Sequence, residues 1–265
     1  MKLMKRIGIL FLALAFVWSA AASTVLAQSV ADRRSDYQRD LDIYRDAHAQ
    51  FVVKKSEFQQ FGTFASEDAL IDSAQQVLLA RDDVWIAYWK LLSAKFETLT
   101  DRVMSRTSEW QGKFETEIEW LEANKIALKA GNTRKLLLAE AVALNNKADD
   151  LGSMSFDANS EISVSTLVQT TKSLLAFNQG LDERVKQQQL SVGEKETKTR
   201  GLAVNAERIQ SILTRLEVLR TEFVEKSGYA TAESFTKITE VLDPLYTEIN
   251  QQYQVAKELS TGVEW

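Results

Sequence analysis

A single proline, Pro244, and ten scattered glycines are all that interrupt a chain of 265 residues. These are the two residue types that most oppose a helix interior, and Ala, Leu, Glu, Lys and Gln, the good helix formers, are abundant. Such a chain has little to fold into except helices packed on helices. The expected fold class is therefore all-α: an elongated, antiparallel, coiled-coil-like bundle of five to seven helices.

The apolar spacing supports this. Tyr37, Leu41, Tyr44, His48, Phe51, Lys55 and Phe58 follow one another at steps of three and four over residues 31–61, and Gly62 ends the run. Ser66, followed by Glu67 and Asp68, suits the start of a second helix, since its hydroxyl can accept from a free N–H and the acids favour the positive end of the helix. The second stripe runs Leu70, Ala74, Val77/Leu78, Arg81, Val84/Trp85, Tyr88, Leu91/Leu92, Lys95/Phe96, Leu99 and Val103. It is wide enough to be buried by two neighbours at once, which places this helix inside the bundle.

A break near residues 105–108 is expected, with Thr107 or Ser108 capping a third helix that ends at Gly131-Asn132. Thr133 can cap a fourth, residues 134–147. The aperiodic stretch ADDLGSMSFDANS, residues 148–160, is dense in turn formers and is read as the main loop, with Asp157 or Ser160 opening a fifth helix. Residues 187–201 are either a turn, with Ser191 and Glu194 forming a capping box, or an exposed piece of one long helix. Thr231 caps the last helix, and Pro244 should bend it.

The first 27 residues place Lys2, Lys5 and Arg6 before the uncharged apolar run 7–18, then Val25-Leu26-Ala27 before Gln28. That is the layout of a cleaved signal peptide; the rival reading, an uncleaved anchor, fits the Val25–Ala27 boundary less well. The apolar run is shorter than the ~20 residues a membrane-spanning helix needs. Residues 28–265 are then expected as one exported helical-bundle domain, with a possible sub-division at 148–160, located in the periplasm, at the cell surface or outside the cell. Removing three basic residues from 32 Lys+Arg leaves 29 against 37 Asp+Glu, a formal charge of −8. An acidic surface of this kind is a poor partner for nucleic acid.

The chain has 0 Cys and 1 His. Zinc, copper or haem sites built from those ligands have no material, and a carboxylate-bridged di-iron bundle would need Glu-x-x-His twice. Triads of Ser/His/Asp or Cys/His type are equally short of parts, and no Gly-rich phosphate loop occurs. The expectation is no catalytic residue, no cofactor and no metal. His48, flanked by Tyr44 and Phe51, is read as a partly buried packing residue. The paired carboxylates, Asp82-Asp83, Asp149-Asp150 and Glu115 to Glu122, are read as solvated helix faces.

The aromatics stand out. Trp85, Tyr88 and Trp89 with Trp120 are many large rings for one stripe, and Trp89 and Trp120 are read on its flank, beside Glu117. A wide core can absorb such rings; an exposed patch could instead receive a partner protein or stack on a sugar. The candidate interaction patch is Trp85, Tyr88, Trp89, Trp120 and Glu117.

The stretches LLARDDVWIAYWKLL, residues 78–92, and EIEWLEANKIAL, residues 117–128, together with the tyrosine-spaced first helix, resemble segments of uncharacterised exported helical-bundle proteins of candidate-phyla bacteria. The resemblance covers about the first half of residues 28–265. It implies an extracytoplasmic helical bundle without an assigned activity, and it carries over no site residue. The expected function is a non-catalytic structural or protein-interaction bundle at the cell envelope or surface, working through a protein partner or self-association. The alternative is an extracytoplasmic glycan or small-molecule binder using the aromatic patch.

Overall fold

The computed structural model describes residues 2–100, 106–131, 133–225 and 231–263, and side chains within 29–222, 231 and 233–263 of these. Six helices and no strand occur among the described residues: α1 (Lys2–Phe61), α2 (Phe64–Glu97), α3 (Thr107–Ala130), α4 (Arg134–Gln187), α5 (Val192–Glu225) and α6 (Ala232–Leu259). The expected all-α helical bundle is what forms. None of the described helices is long and apolar enough to cross a membrane. The chain divides into two compact units, Met1–Asp149 and Asp150–Trp265.

In unit 1, α2 is the central helix. Gly62, at φ +58°, makes the turn out of α1 in a conformation that costs any residue with a Cβ. The cap of α2 is Thr63 rather than Ser66: the Thr63 hydroxyl accepts from the Ser66 N–H, and the Ser66 hydroxyl accepts from the Thr63 N–H. Ser66 thus serves at the third helical position of a reciprocal box, three residues after the one that begins it. Partners α2–α3 run antiparallel, because Gln75 reaches Leu128, Asp82 meets Asn124, Trp89 meets Phe114 and Phe96 meets Trp110, so that numbers rise on one helix as they fall on the other. The same reasoning makes α1 antiparallel to α2, with Tyr37 on Tyr88 at one end and Phe51 beside Ala74 and Val77 further along. The break between α2 and α3 opens earlier than the expected 105–108: α2 ends at Glu97 with Thr98 as its C-cap, so Leu99 already lies beyond the helix. The cap of α3 is Arg106, in a left-handed conformation and without a side-chain cap bond, so Thr107 is already inside the helix. Val103 lies outside the described residues.

The stretch 148–160 is not a loop: α4 runs through it without a break. Buried positions fall at steps of seven from Leu137 through Leu144, Leu151 and Ala158 to Ser165, so one inner line continues across the Asp, Gly and Ser residues. Gly152 costs such a helix ~1 kcal/mol relative to Ala, which burial at Leu151 and Ala158 offsets. Neither Asp157 nor Ser160 opens a helix.

Unit 2 is a three-helix arrangement of the rest of α4 with α5 and α6. Asn178 bonds across to Leu202 and Lys172 pairs with Glu217, making α4 and α5 antiparallel, and Asn205 with Gln252 and Arg215 with Glu248 do the same for α5 and α6. An aliphatic core of Val164, Val168, Leu174, Ile209, Ile212, Leu216, Leu242, Leu245 and Ile249 fills the space between them. Residues 188–191 turn the chain into α5, where the Glu194 N–H donates to the Ser191 hydroxyl at 3.4 Å, so the turn reading holds over the continuous helix. Thr231 caps α6, accepting from the Ser234 N–H at 3.2 Å, and Pro244 lies inside that helix. Gly201 permits the closest approach here: a Cβ would stand 3.0 Å from Leu259.

Candidate functional site

The aromatic residues of α2 separate into different roles. Trp89 is 0% exposed. Its ring stacks on Trp85 at 5.4 Å and on Phe114 at 5.4 Å, and Tyr88 stands 5.2 Å away. Phe114, Trp110 and Phe96 continue the series at 5.6–5.9 Å between centroids. Each such pair contributes ~0.5–1.5 kcal/mol beyond the area it buries. Trp89 therefore holds α2 to α3 and is not on a surface flank; it shares one inner line, at seven-residue steps, with Asp82 and Phe96. Trp85 and Tyr88 are half-buried on the α1 side of the cluster.

Trp120 is half-buried and sits apart from these rings. Lys147 of α4 lies 4.4 Å from its ring centre, and the same ammonium pairs with Glu117 at 2.6 Å. Glu117, Trp120 and Lys147 thus form a clamp between α3 and the start of α4, in which the cation bonds to a carboxylate and rests on a π face. Of the expected patch, the structure brings Trp85, Tyr88 and Trp89 together as packing and Trp120 with Glu117 as the clamp, but not the two groups with each other.

Two expectations about polar residues are corrected. His48 is exposed, its ring 6.0 Å from that of Tyr44. Ala47 takes the inner position instead, packing with Tyr44 and Phe51 against the cluster of Val77 and Leu78. Asp82, by contrast, is not on a solvated face: its side chain is 0% exposed. Asn124 donates to one carboxylate oxygen at 2.6 Å, and Arg81 lies 3.7 Å from the other. Burial pushes the Asp82 carboxyl up to about 6, against the opposing pull of the Asn124 bond and the Arg81 charge. Burial likewise lowers the pKa of Arg81. The signal was in the sequence, since 82, 89 and 96 are spaced by seven.

An apolar groove of about 350 Å³ lies between α1, α2 and the start of α4 in unit 1. Phe51 and Phe58 of α1, Leu70, Ile71, Ala74, Val77 and Leu78 of α2, and Leu137, Leu138 and Ala141 of α4 form its walls. Lys55, Glu67 and Arg134 complete the lining, with Arg134 and Glu67 4.0 Å apart. Leu138 is 64% exposed, and at the α1–α2 turn one helical turn beyond Phe58 and Glu67, Phe61 and Phe64 are 62% and 89% exposed. The chain pattern alone did not point to this groove, because it arises where three helices diverge. Among the described residues, no group of three His, Cys, Asp or Glu side chains could hold a metal ion.

No protein-family model, no curated protein and no solved structure matches this chain.

Proposed function

We propose that this protein is an exported, non-catalytic helical bundle that serves as a structural or protein-interaction element at the cell envelope or surface, and that unit 1 contacts its protein partner through the groove between α1, α2 and α4. The observation that carries this reading is the groove's lining: a nearly continuous aliphatic and aromatic wall beside exposed Phe61, Phe64 and Leu138. Apolar surface concentrated in one place on a helical protein, with charges only beside it, is what an amphipathic helix or apolar segment of a partner recognises. Two cations and one carboxylate, one pair already 4.0 Å apart, offer orientation rather than proton transfer. Export rests on the basic, apolar and small-residue order of residues 1–27.

A glycan or small-molecule platform on the tryptophans has weaker support, because the Trp89 ring is buried against Trp85, Tyr88 and Phe114 and Lys147 covers Trp120.

The test is a photo-crosslinking side chain placed at Leu138 of the full chain in its producing cells. Light-dependent attachment to a protein, lost when Leu70→Asp is added, supports the reading. Absence of any protein adduct, with the chain folded and exported, overturns it.

A further inference from the structure

We propose that Asp82 is an acid-responsive lock in unit 1: uptake of one proton by this enclosed carboxylate tightens the packing of α2 against α3, so that the unit holding the groove is more stable in mildly acidic surroundings than at neutral pH. The geometry carries this. Asp82 occupies the inner line of α2, directly in register with Trp89 and Phe96, in a position where aliphatic or aromatic residues otherwise stand. Among the described residues one hydrogen bond reaches the carboxylate, from Asn124; there Oδ1 accepts none, and the Nε and Nη2 of Arg81 are buried without acceptors. An ion removed from water with one bond and a guanidinium still 3.7 Å away is incompletely compensated.

The charges around it do not restore the balance. On α2 itself Asp83 adds a like charge, and on α3 Lys125 is already engaged by Asp83 and Glu122 at 2.7 and 3.2 Å. From α1, Tyr44 acts on Arg81, and Arg33, Asp36, Arg39 and Asp40, paired among themselves, share the charged surface depression with Asp83, Lys90, Glu122 and Lys125. On α4, Lys147 is paired with Glu117. Protonation converts the carboxylate to a carboxylic acid, which removes the buried charge while its second oxygen still accepts from Asn124.

The sign follows from linkage. The folded carboxyl titrates at about 6 and the unfolded one at 3.8, so the folded state binds the proton first. Stability then rises as pH falls through 6, levels off below 3.8, and is lost as pH rises through 6. Between pH 7.5 and pH 5 the unfolding equilibrium constant of unit 1 should fall about tenfold.

Tryptophans 18, 85, 89, 110 and 120 all lie in unit 1, so fluorescence-monitored urea unfolding of the full chain reports on it once Trp265→Phe removes the tryptophan of unit 2. Adding His48→Gln to that background removes the one imidazole of the chain. The expected result is a midpoint that rises from pH 7.5 to pH 5, and an Asp82→Asn variant that starts higher at pH 7.5 and shows no such rise. A midpoint that is flat or falls toward pH 5 with Asp82 in place, or a rise that persists in Asp82→Asn, overturns the proposal. Should Asp82→Asn not fold, carbon-13 carboxyl titration of the folded wild type decides the matter: a midpoint near 6 for Asp82 supports the lock, and one near 4 overturns it.

Discussion

In unit 1 the inner line of α2 stacks Asp82, Trp89 and Phe96 at seven-residue steps; in unit 2 the inner line of α4 stacks Thr171, Asn178 and Val185 at the same steps. Both units interrupt an apolar seam with a polar layer, but the layers differ in kind. Unit 2 uses neutral amides: Asn178 donates to the Leu202 carbonyl at 2.9 Å, and Asn205 donates to the Asn178 side chain at 2.8 Å and to the Gln252 carbonyl at 3.3 Å. Unit 1 uses a carboxylate with one hydrogen bond. An amide loses only hydrogen bonds to water on burial and can regain them inside, whereas a carboxylate also loses the solvation of its charge. The amide layer should fix which residues face each other at every pH; the carboxylate layer makes the same kind of contact conditional on a proton. The cores of the two units differ as well, stacked rings between α2 and α3 in unit 1 and branched aliphatics among α4, α5 and α6 in unit 2.

The largest expected effect sharpens the aromatic side of that contrast. Trp89→Ala should cost unit 1 about 3–5 kcal/mol, measured by denaturant unfolding followed through Trp110 and Trp120, since it empties a site enclosed by Trp85, Tyr88 and Phe114. A loss under ~1 kcal/mol would place Trp89 on the surface after all. Next comes the amide layer: Asn205→Ala withdraws the donor from both Asn178 and Gln252 and should destabilise unit 2 by about 1–3 kcal/mol. That loss should be equal at pH 5 and pH 7.5 by circular dichroism; a pH-dependent loss would erase the distinction between the two layers. Smaller effects separate two glycines. Gly62→Ala at φ +58° should destabilise the α1–α2 turn by about 1–2 kcal/mol, read as a lower thermal midpoint. Gly152→Ala, inside α4 with nothing within 4 Å of its Cβ position, should instead stabilise by up to ~1 kcal/mol. Destabilisation at 152 would restore a turn there.

Helix content, the Gly62 turn and the caps at Thr133 and Thr231 were legible because each depends on a residue's own backbone preference or on partners three residues away. The run 148–160 was misread for the converse reason. Gly152, Ser153 and Asp157 favour turns by themselves, and only the line from Leu137 to Ser165, which is buried by distant helices, holds them in α4. Asp82 shows the same limit: neighbouring Asp83 made it look like part of a wet face, although its spacing from Trp89 and Phe96 already put it inside. The Trp120–Lys147–Glu117 clamp joins residues on two successive helices, α3 and α4, many turns apart along the chain, and no local pattern specifies such a pair.

The amino-acid order by itself determined that this protein is helical, roughly where its helices turn, that it carries no thiol and one imidazole, and that its first 27 residues have the layout of an export signal. Those are properties of single residues and of neighbours one turn apart. Which ring is enclosed and which is half-exposed, which carboxylate loses its water, and where three helices leave an apolar groove were decided by tertiary packing. Each depends on the depth of a side chain among helices far apart in the chain, and depth sets both the cost of a charge and the value of a contact.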